Sequence, residues 1–301
     1  MSSKNRALLA RLASAAVLLV GCADDGGEAA TDEPAETTAP QSDEATAASA
    51  SDGAESAASP SDGSETLVVL VSNDDGIASE GIDAVVNELS ALEDVEVLVY
   101  APAEQQSGQG GKFTEGGATA EPGQTRSGVA GVAVNGFPAD AVNYAFDVDG
   151  VKPHVVISGM NHGANLGAFV EVSGTVGAAR SAVRRGVPAL ASSMGSTDTV
   201  HWDLGATFVT DWVREHRDAL LAGTAPVEVV NLNVPTCAAG EVRGAIEVAT
   251  DYQASDASML AANCTSTEAA GDSDIVAFSR GYVTWSVLST EPTPNLFSTA
   301  G

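Results

Sequence analysis

Leu67-Val68-Val69-Leu70-Val71-Ser72-Asn73-Asp74-Asp75-Gly76 is the stretch that decides the fold. A short, unbroken run of apolar and mostly β-branched residues ends in two adjacent carboxylates and a glycine. A run this short with no polar alternation reads as a strand buried on both faces, as inside a parallel sheet. Ligands of such sheets bind beyond the carboxyl ends of the strands, so Asp74 and Asp75 stand where chemistry is expected. Adjacent carboxylates repel each other unless a cation lies between or beside them. Their oxygens suit a hard divalent ion. The same residues also read as an Asx-rich turn that caps the next helix, and these ten positions alone leave both readings open.

Outward from this strand the periodicity alternates. Ile82, Val85, Val86, Leu89 and Leu92 make one face of a helix. Val95 to Tyr100 alternates as a second strand, giving a right-handed strand–helix–strand unit. Residues 112–134, rich in Gly and Thr, read as loops or short hairpins. Pro138 is well placed to start a helix, because its missing N–H would be unpaired there. Val155 to Ser158 is another buried strand, followed by a helix over Ala178 to Arg185, a strand over Ala189 to Ser193, a helix through Leu204, Phe208, Trp212 and Val213, and a strand over Val227 to Val234. The repeated alternation predicts an α/β fold with a doubly wound, mostly parallel sheet. Beyond Pro235 the pattern weakens. Gly281 to Leu288 alternates like a strand, so a C-terminal β-rich extension, or an arm packing on a partner, is expected.

The N-terminus reads as a targeting segment. Lys4, Arg6 and Arg11 precede the apolar run Ala13 to Val20, which is too short to span a bilayer. Leu19-Val20-Gly21-Cys22 resembles a bacterial lipobox, which implies a signal peptide over 1–21, cleavage before Cys22 and lipidation of that residue. The alternative is an ordinary secreted protein with a chance cysteine. Ala23 to Glu65 holds 12 acids, no Lys or Arg, and no Leu, Ile, Val or aromatic residue. It cannot bury enough apolar surface to offset ordering entropy. Residues 22–65 are thus expected to be a lipidated cysteine and a disordered acidic linker ahead of a domain over 66–301. The expected location is the outer face of the cell membrane, with the lipid anchor as the one membrane contact. The whole chain carries a net charge of −28. From Thr66 onward there are 29 acids and 10 bases, a net of −19, which argues against a nucleic-acid duplex as partner. Cys237 and Cys264 remain. Outside the cytoplasm an even remainder suggests a disulfide, with two free thiols as the alternative. The bond would close a loop of about 28 residues and contribute on the order of 3 kcal/mol.

Three loops at strand ends carry oxygen ligands for a hard cation: Asp74 with Asp75, Ser107, and Asn161. Ser173, Gly174 and Thr175 precede a helix, where exposed N–H groups and hydroxyls form an anion site. A metal beside an anion site is the arrangement phosphoryl chemistry needs.

Here the chain resembles the stationary-phase survival protein SurE family of metal-dependent nucleotidases and acid-type phosphatases. The resemblance is carried by Ser72 to Ile77, Ala101-Pro102 through Gln106-Ser107-Gly108, Gly136 to Asp140, Ser158-Gly159-Met160-Asn161 through Asn165-Leu166-Gly167, and Ser173 to Ala179. Weaker matches are Asn231 to Pro235 and Gly281-Tyr282-Val283. The resemblance implies a Rossmann-like core, a homodimer or homotetramer, and exchanged C-terminal arms. It implies one divalent ion per subunit, Mg2+ or Mn2+, with Ca2+ able to stand in within crystals, held by Asp74, Asp75, Ser107 and Asn161. It implies substrate contacts from Asn73, Ser173, Gly174 and Thr175, with Asn165 assigned to the same set, and nucleoside monophosphates as substrates. Asp74 and Asp75 would be catalytic, through hydrolysis by a metal-activated water.

Departures from the family pattern are Phe137 in place of a usual Thr, Val172 in place of an aromatic residue, and His154 in place of Asp. The first two put base or sugar preference in doubt. His162 reads as a general acid or as a solvent-exposed loop histidine. Arg180 could assist phosphate, whereas Arg184 and Arg185 face solvent at a helix end. Trp202, Trp212 and Trp285 read as packing residues, and Trp202 could also stack on a base. Two other readings stand beside the enzyme. One is a non-catalytic nucleotide-, phosphate- or metal-binding lipoprotein of the same fold. The other is a cofactor-binding oxidoreductase, disfavoured because no dinucleotide glycine fingerprint follows the first strand.

Overall fold

The computed structural model describes residues 65–196, 200–253 and 261–293. The segment expected to be a signal peptide, Cys22, and all of the acidic stretch except Glu65 lie outside the described residues. Nine strands form one sheet: β1 (Leu67–Ser72), β2 (Val95–Pro102), β3 (Thr119–Gln124), β4 (Ala130–Asn135), β5 (Val155–His162), β6 (Ala189–Met194), β7 (Val229–Val234), β8 (Ala245–Glu247) and β9 (Val283–Leu288). Five helices accompany them: α1 (Glu80–Ser90), α2 (Pro138–Asp147), α3 (Gly174–Val183), α4 (Trp202–Leu221) and α5 (Asp274–Ser279). The strand order is β3-β4-β2-β1-β5-β6-β7-β9-β8. β1, β2, β4, β5, β6 and β7 run parallel, while β3 and β9 pair antiparallel to β4 and β7.

β1 shows why the apolar run is continuous. Leu67, Val69 and Val71 pack into one core with Ile82, Val85, Val86 and Leu89 of α1 and Val209 and Val213 of α4. Leu70 packs into a second core with Val142 and Ala145 of α2 and Ala178, Ala179 and Ala182 of α3. Helices therefore cover both faces, and every apolar residue of β1 save Val68 is buried.

The chain leaves β1 toward β2 on one side and returns to β5 on the other. The direction of winding reverses there, and the carboxyl ends of β1 and β5 flank the crevice this leaves. Asp74 and Asp75 follow β1, and Asn161 and His162 end β5.

The C-terminal segment forms the β-rich extension: β9 pairs antiparallel with β7, and β8 beyond it is the edge of the sheet. Cys237 and Cys264 are joined in a disulfide with Cα atoms 5.6 Å apart. No helix among the described residues is long and apolar enough to cross a membrane.

Candidate metal and phosphate site

Asp74 is 2% exposed. Its Oδ1 accepts a hydrogen bond from Thr175 Oγ1 at 2.7 Å. Burial, above all, pushes its carboxyl up to about 6, and the Asp75 carboxylate adds to that, while the Thr175 hydrogen bond opposes it. Asp75 is less buried and is also raised, chiefly by burial, although the His162 N–H donates to its Oδ2 at 2.9 Å.

Asp74, Ser107, Asn161, Asn165 and Ser173 line one cavity of about 200 Å3, together with Gly108, His162, Phe169 and Val172. Asn161 Nδ2 donates to the Gly163 carbonyl at 2.5 Å, which leaves its amide oxygen for the cavity. Ser107 is carried by a loop whose Gln106 N–H donates to the Asp74 carbonyl at 2.7 Å. Gly110 N–H of the same loop donates to the Val172 carbonyl. Ser173 caps α3 by accepting from the Val176 N–H, and it is the residue by which the N-terminus of that helix meets the cavity.

Not every residue singled out in the sequence reaches this cavity. Asp75 opens onto a neighbouring cleft of about 420 Å3, with His162 shared between the two spaces. Thr175 is fully buried and spends its hydroxyl on Asp74. Gly174 is buried at the start of α3. Asn73 is fully buried behind the turn, where its Nδ2 donates to the Gly76 carbonyl at 2.9 Å and to Ser79 Oγ at 2.8 Å. The structure thus gives Asn73 and Thr175 the work of holding the two carboxylates in place.

Arg180 corrects one expectation. Its guanidinium grips Glu171 through two bonds of 2.8 and 3.1 Å and donates to the Ser289 carbonyl. Both side chains are about 95% buried, so no charge is left for a phosphate. Arg184 is exposed and pairs at the surface with Glu291, while the half-buried Arg185 pairs with Asp147. Phe137 does not line the cavity. It precedes α2 and donates its N–H to Asp140. Val172 does line it and is 37% exposed at its rim.

Ser193, Asn231, Asn233 and Asp274, which had no assigned role in the sequence, hold Asn165 and Gly167 in place. Asn165 Nδ2 donates to Ser193 Oγ at 2.9 Å and to Thr175 Oγ1 at 3.3 Å. The Asn165 N–H donates to Asn233 Oδ1, and its carbonyl accepts from Asn231 and Asn233. Asp274, at the start of α5, accepts from the Gly167 N–H at 2.8 Å. The loop that follows β5 is therefore fastened to β6, β7 and α5.

The residues fit a hard cation. A nearly buried carboxylate with a second carboxylate beside it, held by the neutral Thr175 hydroxyl and by the backbone N–H groups of Asp74 and Thr175, has no cationic partner among the described residues. The donors around it are oxygens of Asp, Asn and Ser, the chemistry of Mg2+, Mn2+ or Ca2+. No group of three or more His, Cys, Asp or Glu gathers among the described residues, which disfavours a soft-metal centre.

Comparison with known proteins is consistent with this geometry. The model of a family described as survival protein SurE matches residues 69–256. A protein of Brevibacillus brevis named 5'-nucleotidase SurE is 38% identical over 185 residues, covering 59% of this chain and 70% of that protein. One of the same name from Gloeobacter violaceus is 33% identical over 233 residues, covering 71% and 87%. The crystal structure of the SurE protein from Aquifex aeolicus superposes with a TM-score of 0.61 at 26% identity, covering 75% of this chain and 95% of that one.

Proposed function

The chain belongs to the survival protein SurE family, and from that premise we propose that it is a metal-dependent phosphomonoesterase acting on nucleoside monophosphates. Asp74 carries the proposal, as a buried, cation-deficient carboxylate facing the donors of a helix N-terminus. A divalent ion held by Asp74, Ser107 and Asn161, with Asp75 at its edge, would supply charge against the phosphoryl oxygens and make water a stronger nucleophile. The protein's own groups do the rest. Ser173, where α3 begins, is the group that meets the phosphoryl oxygens. Thr175 and Asn165 fix the Asp74 carboxylate, and His162 stands at the mouth, within reach of a leaving group. Phosphate monoesters hydrolyse very slowly unaided, so stabilisation of charge is the main task.

The reading extends to an exported lipoprotein anchored through Cys22 on the outer face of the membrane, and to a homodimer or homotetramer, which sedimentation of the 66–301 domain reads directly. The activity test is release of phosphate from adenosine 5'-monophosphate with Mn2+ or Mg2+. Asp74→Asn is expected to lower turnover by at least about a hundredfold, the order expected when transition-state charge stabilisation is lost, while far-UV circular dichroism is unchanged. EDTA should do the same to the wild-type protein. Tight nucleotide binding with no phosphate release would make the protein a binding lipoprotein instead.

A further inference from the structure

The cavity that holds Asp74 is too small for a whole nucleotide. At about 200 Å3 it accommodates a phosphoryl group and an ion, whereas pockets for larger ligands run to about 300–1,000 Å3. The adjoining cleft of about 420 Å3 falls in that range. It is lined by Asp75, Ser79, Glu80, Gly81, His162, Val200 and Trp202, and it meets the phosphate cavity across His162. We propose that this cleft is the nucleoside subsite of the chain, with Trp202 as the platform on which the base stacks and Glu80 as its polar partner. The inference rests on the nucleotidase reading above.

Trp202 is held as a platform would be. It opens α4, and its indole Nε1–H donates to Glu80 Oε2 at 3.1 Å. The ring centroid of His162 lies 5.8 Å from that of Trp202, inclined at 59°. A Cβ on Gly81 would meet the six-membered ring of Trp202 at 2.9 Å and would overlap the Met160 backbone, so glycine is what lets the indole lie against the start of α1. Trp202 packs part of its ring against the main core and turns the rest to the cleft. Glu80 is fixed from both sides, by Trp202 Nε1 and by Arg126 at 3.1 Å. A carboxylate so placed accepts from the exocyclic amine of a base or from the ribose hydroxyls. Apolar and aromatic walls with a few convergent polar groups are the composition of small-molecule sites.

The experiment compares kcat/KM for adenosine 5'-monophosphate with that for ribose 5-phosphate, which keeps the phosphate and sugar but lacks the base. In the wild-type protein the nucleotide should be preferred. In Trp202→Ala that preference should fall about 5- to 100-fold, the range that base–aromatic stacking supplies, mostly through KM. Trp202→Phe should restore most of it. If Trp202→Ala lowers both substrates equally, the residue is a packing residue and the proposal is overturned. A wild-type protein that hydrolyses both esters equally well also overturns it, while leaving the phosphatase reading intact. Hydrolysis of neither ester would refute the nucleotidase reading first. Should Trp202→Ala fail to fold, quenching of the wild-type tryptophan fluorescence by adenosine in EDTA, reduced in Trp202→Phe, keeps the question decidable. Absence of that quenching would overturn the proposal.

Discussion

Asp74 is kept at a cost that the fold could avoid. Its carboxyl ordinarily ionises near 3.8, and burial lifts it to about 6 in the folded chain. In the metal-free protein the folded state therefore binds the proton more tightly than the unfolded state does. The stability this contributes is fully present below about pH 3.8 and is lost as pH rises through about 6. Metal-free protein should accordingly melt at a lower temperature at pH 7.5 than at pH 5. Asp74→Asn should make that slope shallower and raise neutral-pH stability by about 2–3 kcal/mol, in the same variant that loses turnover. Asp75, raised in the same direction, keeps some slope. Thermal melts in EDTA across this pH range check the sign, and an unchanged slope in the variant would count against the charge-deficient site. At this scale the sequence displayed the candidate ligands but not their supports. Two carboxylates after a buried strand have a local meaning. The meaning of Asn231, Asn233 and Asp274 comes only from partners 66, 68 and 107 residues away. Arg180 misled although its partner Glu171 lies only 9 residues away, because the turn that brings the two together has no periodicity to read.

The elements contribute through where their backbones are allowed to touch. Gly177, in the first turns of α3, packs directly on the Gly110 backbone, and any Cβ there would overlap the Gly110 carbonyl. That contact sets the height of the Ser107 loop over Asp74. Gly177→Ala should leave the helix intact, because alanine is the better helix former. It should nevertheless push the loop outward, lowering activity at least about tenfold, since misplacing reacting groups by about 1 Å can cost a hundredfold. The metal concentration needed for half activity should rise with it. Gly111→Ala, where a Cβ has open space, is the control, and equal effects of the two substitutions would refute the argument. Periodicity alone placed β1, α1, β2, β5, α3, β6, α4 and β7 to within a few residues. It did not place β8 or α5, whose 3 and 6 residues are too short to show a period. β9 read as a strand, but its neighbours could not be read, since pairing between β7 and β9 is a long-range choice.

The domain over residues 66–301 is acidic. Its net of −19 repels phosphorylated solutes and anionic lipid alike, so the proposed membrane association rests on Cys22 and not on the domain's surface. Cys22→Ser should move the protein from the membrane fraction to the soluble extracytoplasmic fraction of its host and abolish labelling with radioactive fatty acid. A variant that stays in the membrane fraction unlabelled would refute the anchor. Asp274 has one more implication. It lies beyond residue 256, where the match to the SurE family model ends, yet it grips the Gly167 amide beneath the proposed active site. A version trimmed to that boundary would keep every proposed ligand and still hold them loosely. In this chain the segment after residue 256 underpins the proposed site, and Asp274→Ala is expected to weaken it.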